Sequence, residues 1–86
     1  MSEAEKQRQS MPPEALKLFE ELESSKTQSE QGYLVLDDLL TRQGLSVEGL
    51  YLLMRSFVDF GMLETWTIKH IKGACFITYK LSLAAA

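Results

Sequence analysis

His70 and Cys75 are the one histidine and the one cysteine of the chain, and "HIKGAC" sets them close together. A thiol beside an imidazole is a pair used in nucleophilic catalysis, and both side chains are zinc ligands. Neither chemistry is complete here. Structural zinc takes four nitrogen or sulfur ligands, and a cysteine nucleophile needs a base with an orienting partner and a pocket. No glycine-rich phosphate loop is present either, since the five glycines are isolated turn and cap residues. The expectation is therefore a protein that is not an enzyme, with no metal, no cofactor and no evident small-molecule substrate.

The remaining chemistry is that of recognition. Nucleic-acid contact would fall to Arg42, Arg55, Ser56, Lys69, His70, Lys72 and Lys80. Lysines and a near-neutral histidine track phosphates and position a duplex, whereas base edges are read mainly by Arg, Lys, Asn and Gln. For that task "SVEGLYLLMRSFVDFG" (46–61) supplies one arginine, no amide side chain, and the carboxylates Glu48 and Asp59. Those carboxylates also read as solvated helix-face charges, and the lysines as devices that blunt hairpin edges against pairing.

Protein contact would fall to Tyr51, Leu52, Val58 and Phe76. A helix that buries one stripe needs fewer apolar residues than "LYLLM" (50–54) provides. Either the helix is buried over more than half its surface, or Tyr51, Leu52 and Val58 form an exposed patch that contacts a protein partner or a second copy. Phe76 and Ile71 either pack against a partner or cover the first helix.

Positioning these residues requires a fold that the composition allows. Of 86 residues, 45% are hydrophobic and 24% charged, as in one small soluble globular domain. A chain of this length buries about 60–65% of the surface its unfolded form exposes, so its margin of stability is thin. A lone cysteine closes no internal disulfide, which favours a reducing, cytoplasmic setting. No leader precedes the first helix and no apolar run approaches about 18 residues, so no membrane contact is expected.

The net charge of −3 is unevenly spread. Residues 12–32 carry five glutamates (14, 20, 21, 23 and 30) against Lys17 and Lys26. Residues 33–64 carry Asp37, Asp38, Glu48, Asp59 and Glu64 against Arg42 and Arg55. Only the last part is basic, through Lys69, Lys72 and Lys80. A nucleic-acid surface would sit there, because phosphate contacts supply most non-specific affinity.

Residues 1–11 read as a frayed tail, 12–82 as the domain, and 83–86 as a second short tail. Pro12-Pro13 opens a first helix over about 13–24, with Ala15, Leu18 or Phe19, and Leu22 at helical spacing. "SSKTQSEQG" is a loop, and "YLVL" (33–36) a short strand. Asp37 is placed to cap the next helix, which Gly44 closes. Ser46 caps a third helix over about 47–60, whose buried stripe is Val47, Leu50, Leu53 or Met54, Phe57 and Phe60. Gly61 stops it. Gly49 weakens its interior by about 1 kcal/mol relative to alanine and would allow close approach to the second helix.

The pattern then changes to period two. With Lys72-Gly73 as a two-residue turn, Ile71 pairs with Ala74 and His70 faces Cys75. One face shows Trp66, Ile68, His70, Cys75, Ile77, Tyr79 and Leu81. The other shows Thr65, Thr67, Lys69, Ile71, Ala74, Phe76, Thr78 and Lys80.

"LDDLLTRQGLSVEGLYLLMRSFVDFGMLETW" resembles the helix 2, turn, helix 3 and wing entry of winged-helix proteins, with Gly61-Met62-Leu63-Glu64 in the slot that follows the helix stop. The resemblance spans about 13–82. It implies an α+β domain of three helices plus a C-terminal two-stranded β-hairpin wing, with a short third strand near 33–36. The wing entry, an acidic residue just ahead of a tryptophan, is also similar to that of the dissimilatory sulfite reductase D type. Winged helices include transcription regulators and protein-binding domains, so two functions are implied. One is a regulatory protein acting through protein contacts of helix 3 and the wing. The other is a DNA-binding transcriptional regulator, a dimer gripping double-stranded DNA through Arg55 and the wing lysines. The ending "LAAA" is similar to that of bacterial degradation tags, or is simply the frayed end.

Overall fold

The computed structural model describes residues 11–82, so the N-terminal tail up to residue 10 and the LAAA ending lie outside the described residues. The elements are α1 (Pro13–Ser25), β1 (Gln31–Val35), α2 (Leu36–Gln43), α3 (Val47–Asp59), β2 (Leu63–Ile71) and β3 (Ala74–Leu81). Among the described residues this is an α+β arrangement of three helices and one antiparallel sheet in the order β1-β3-β2. The helices pack on one face of the sheet, and the core lies between the layers.

Pro13 starts α1 at a position whose amide has no intrahelical partner, so its missing N–H costs nothing. Ala15, Leu18, Phe19 and Leu22 all turn inward. The ring of Phe19 meets that of Phe57 edge-on with centroids 5.2 Å apart, which joins α1 to α3. Met11, assigned by its sequence to the tail, packs against this core.

Two expectations shift by a residue or two. The strand near 33–36 lies at Gln31–Val35, because Leu36 is buried and opens α2. Val35 is therefore the residue before that helix, and no side chain caps it. Asp37 and Asp38 sit in the first turn instead, where their charge favours the positive end of the helix dipole.

Both α2 and α3 end in the same way. Gly44 (φ 63°) and Gly61 (φ 75°) take the left-handed conformation that glycine adopts without steric cost. Beyond α2, the amides of Leu45 and Gly44 donate to the Leu40 and Thr41 carbonyls at 3.0 and 3.3 Å. Beyond α3, those of Met62 and Gly61 donate to Phe57 and Val58 at 2.8 and 3.0 Å. These are Schellman closures, and each seats an apolar residue, Leu45 or Met62, against the core.

In α3 the inward residues are Leu50, Met54 and Phe57. Val47 and Phe60, expected in that stripe, are exposed instead. Val47 begins the first turn, and Phe60 has already left the helix as its C-cap. Gly49 also has a different neighbour from the one expected. A Cβ there would meet Ser46 Oγ at 3.3 Å and the Leu45 side chain at 3.7 Å, within the turn rather than on α2.

The hairpin has the expected register, with Ile71 opposite Ala74 and His70 opposite Cys75. Lys72 (φ 50°) and Gly73 (φ 83°) form the two-residue turn, and positive φ at both suits the twist of the strands. Ile77, Tyr79 and Leu81 of β3 are buried, and Trp66, Ile68 and Cys75 pack partly against the core.

Tyr79 ties the layers together. It pairs with Gly32 across β1 and β3, and a Cβ on Gly32 would lie 2.4 Å from its hydroxyl oxygen. That hydroxyl donates to the Leu22 carbonyl at 2.7 Å. Leu22 belongs to the last turn of α1, where carbonyls lack helical partners. Burial, with the Glu21 carboxylate adding to it, pushes the Tyr79 phenol up to about 12.

Gly32→Ala should therefore cost on the order of 2 kcal/mol through overpacking, and Tyr79→Phe about 1 kcal/mol through the lost hydrogen bond, both read by denaturant unfolding. The pH dependence has a definite sign. The folded phenol ionises later than the unfolded one, so the stability is intact below about pH 10 and is lost as pH rises through about 12. Tyr79→Phe should lack that alkaline loss, whereas an equal loss in both proteins would place its origin elsewhere.

Candidate functional site

The outward side of α3 is set by its cap and its buried stripe. Ser46 Oγ accepts the Gly49 amide at 3.0 Å and starts the helix. With Leu50, Met54 and Phe57 facing the core, Leu52 is 66% exposed, Tyr51 47% and Val58 37%. Val47 at the start and Phe60 just past the end extend this apolar ridge.

Tyr51 is held in place. Its ring meets Trp66 of β2 edge-on, with centroids 4.8 Å apart. Ser56 is half-buried, and its hydroxyl donates to the Leu52 carbonyl at 2.9 Å. Arg55 is exposed and has no ion pair among the described residues. The outward side of α3 thus presents aliphatic and aromatic side chains beside the Arg55 guanidinium, with the Glu48 and Asp59 carboxylates also exposed on it.

The other basic candidates do not gather beside it. Arg42 is committed to α1: its Nε and Nη2 both donate to Glu21 Oε2, the former at 2.8 Å. Gln43 Nε2 donates to the other Glu21 oxygen at 2.6 Å, and Lys17 Nζ to the Arg42 carbonyl at 3.1 Å. Burial acts to raise the Glu21 carboxyl, but the hydrogen bonds from Arg42 and Gln43 and the charges of Arg42 and Lys17 together hold it below its ordinary 4.5.

Adjacent residues of a strand point to opposite faces. His70 is therefore on the helix side of the sheet, and Lys69 on the outer side with Lys80. Lys72 is in the turn between the strands. Lys80 lies 3.6 Å from Glu64. Lys69 and Lys80 are thus separated from Arg55 by the thickness of the sheet. His70 and Cys75 do face one another, with His70 exposed, and the described residues contain no cluster of His, Cys, Asp and Glu able to hold a metal.

The outer face of the sheet carries a second apolar surface. Phe76 and Ile71 lie there and do not cover the first helix, since the helices pack on the opposite face. Tyr33 is 68% exposed, Ile71 50% and Val35 38%. The Tyr33 and Phe76 rings meet edge-on with centroids 6.1 Å apart. Together with Thr65, Thr67 and Thr78 they line a shallow concavity of about 620 Å³. Sequence reasoning missed Tyr33 and Val35, which read only as part of an apolar run. The alternation in "GYLV" around the core-packed Leu34 was the signal that could have found them.

The Glu21 contacts make a stability prediction. Its folded pKa is depressed, so its contribution is present above its unfolded pKa of about 4.5 and is lost as pH falls through the folded value. Glu21→Gln should lower the denaturation midpoint at about pH 7, and the gap to the native sequence should narrow by about pH 3.

No helix among the described residues is long and apolar enough to cross a membrane. No family model matches the chain, and neither a curated protein nor a solved structure is significantly similar to it.

Proposed function

We propose that this chain is a small winged-helix regulatory domain, not an enzyme, which acts by holding a protein partner or a second copy against α3 and the neighbouring hairpin. The element order and the β1-β3-β2 strand order support the winged-helix reading. In that fold α3 takes the place of the recognition helix and β2-β3 that of the wing.

The observation that carries the functional reading is the exposed ridge of α3, centred on Leu52 at 66% exposure. Exposed aromatic and aliphatic side chains beside an arginine are residue types enriched at interfaces, and on α3 they stand with the carboxylates Glu48 and Asp59. Trp66 holds the Tyr51 ring, so part of the ridge is ordered before any partner arrives. Duplex DNA is the weaker reading. Its readout would rest on Arg55 alone, with Glu48 and Asp59 exposed on the same helix, Arg42 joined to Glu21, and Lys69 and Lys80 on the far side of the sheet.

Sedimentation and salt titration separate these readings. Leu52→Glu should abolish self-association, or weaken capture of a partner, by about ten-fold or more while leaving the fold intact. Duplex binding, if it is the function, appears at about 50 mM salt and weakens steeply as salt rises. Duplex binding lost in Lys69→Glu with Lys72→Glu, together with unchanged association in Leu52→Glu, would overturn the protein reading.

A further inference from the structure

We propose that the outer face of the sheet binds single-stranded nucleic acid, by stacking bases on Tyr33 and Phe76 and meeting phosphates with Lys69 and Lys80. This surface lies on the side of the sheet away from α3, so it stands independently of the contact proposed there.

The strand register assembles the face in rows. Tyr33, Thr78 and Thr67 form one row across the three strands, and Val35, Phe76 and Lys69 form the next. On the far side of Tyr33, Lys80 lies between Gln31 and Thr65. Phe76 thus lies on the central strand beside Lys69, and Tyr33 on the edge strand one row from Lys80. Glu64, at the irregularity where β2 begins, stands at one end of this arrangement, 3.6 Å from Lys80. In a chain of net charge −3, Lys69 stands on this face with no ion pair among the described residues, and Lys80 shares its charge with Glu64. The face is left with a local positive excess that suits a polyanion.

The rings distinguish single strands from duplexes. Bases in a duplex are stacked on one another and present only their edges, whereas a single strand offers whole base faces to aromatic side chains. A sheet face with exposed rings supports extended chains whose bases lie flat on it. Tyr33 meets Phe76 edge-on and is still 68% exposed, so most of its ring surface is open to a ligand. The threonine hydroxyls between the rings and the lysines donate to or accept from sugars and base edges, and so tolerate many sequences.

The test uses the full chain and fluorescence anisotropy with labelled oligothymidine and oligouridine of about twelve nucleotides, beside a duplex of equal length. Both single strands should bind more tightly than the duplex at about 50 mM salt, and a preference between them identifies DNA or RNA as the ligand. Two phosphate contacts predict a slope of log K against log salt near −1.4, and Lys69→Ala should reduce its magnitude by about 0.7. Tyr33→Ala should weaken binding about ten-fold, with unchanged circular dichroism as the control for folding. Leu52→Glu should leave oligonucleotide affinity as it was, which keeps this outcome separate from that of the α3 contact.

Absence of binding at low salt, or a duplex bound as tightly as a single strand, would overturn the proposal. So would a Tyr33→Ala protein that binds oligonucleotide normally but has changed from dimer to monomer, since the face would then be an interface between copies.

Discussion

Tyr79 stands on the central strand with its ring over Gly32 of β1 and its hydroxyl on the Leu22 carbonyl of α1. The first helix, the first strand and the last strand meet at this one side chain. The absence of a Cβ at Gly32 lets the ring lie flat against β1, and the 2.7 Å bond then fixes how α1 crosses the sheet. With α1 so placed, Phe19 reaches Phe57 and brings α3 onto the same core. A buried hydroxyl and a helix-terminal carbonyl are both costly to leave unpaired, so the contact favours one geometry over its neighbours.

The path from α2 to β2 depends on two short closures rather than on packing alone. Gly44 and Gly61 each reverse the chain in the left-handed conformation, and each sends the following apolar residue back to the core. The exposed side of α3 follows from them. Once Leu45 and Met62 are anchored at its two ends, the rotation of the helix about its axis is set, and Leu52 and Arg55 face outward. Trp66 then supports the ridge from the sheet by its contact with Tyr51. Fold and candidate interface thus share the same anchors.

Charge illustrates how sequence proximity misleads in a sheet. Lys69, His70 and Lys72 are near neighbours along the chain and look like one basic cluster. Strand alternation assigns Lys69 to the outer face and His70 to the helix side, while Lys72 occupies the turn. Arg42 is removed from the reckoning by a glutamate 21 positions earlier. The basic character of the last part of the chain is real, but it is displayed beside Tyr33 and Phe76 rather than beside α3.

Local signals determined a good deal of this protein. Apolar spacing, the Pro12-Pro13 start, the Ser46 cap, the two glycine stops and the Lys72-Gly73 turn are all written within a few residues of where they act. That is why the helices and hairpin register were legible, to within a residue or two at their ends. The tertiary structure alone decided which apolar residues beyond the minimal stripe are covered. Val47 and Phe60 match the helical period, yet both stay largely exposed, because the core is smaller than the stripe that could have entered it. It also decided the pairing of Arg42 with Glu21, the clamp of Tyr79 on Leu22, and the joining of β1 to the hairpin, which leaves Tyr33 bare. Each is a contact between residues distant in sequence, and periodicity carries no information about such meetings.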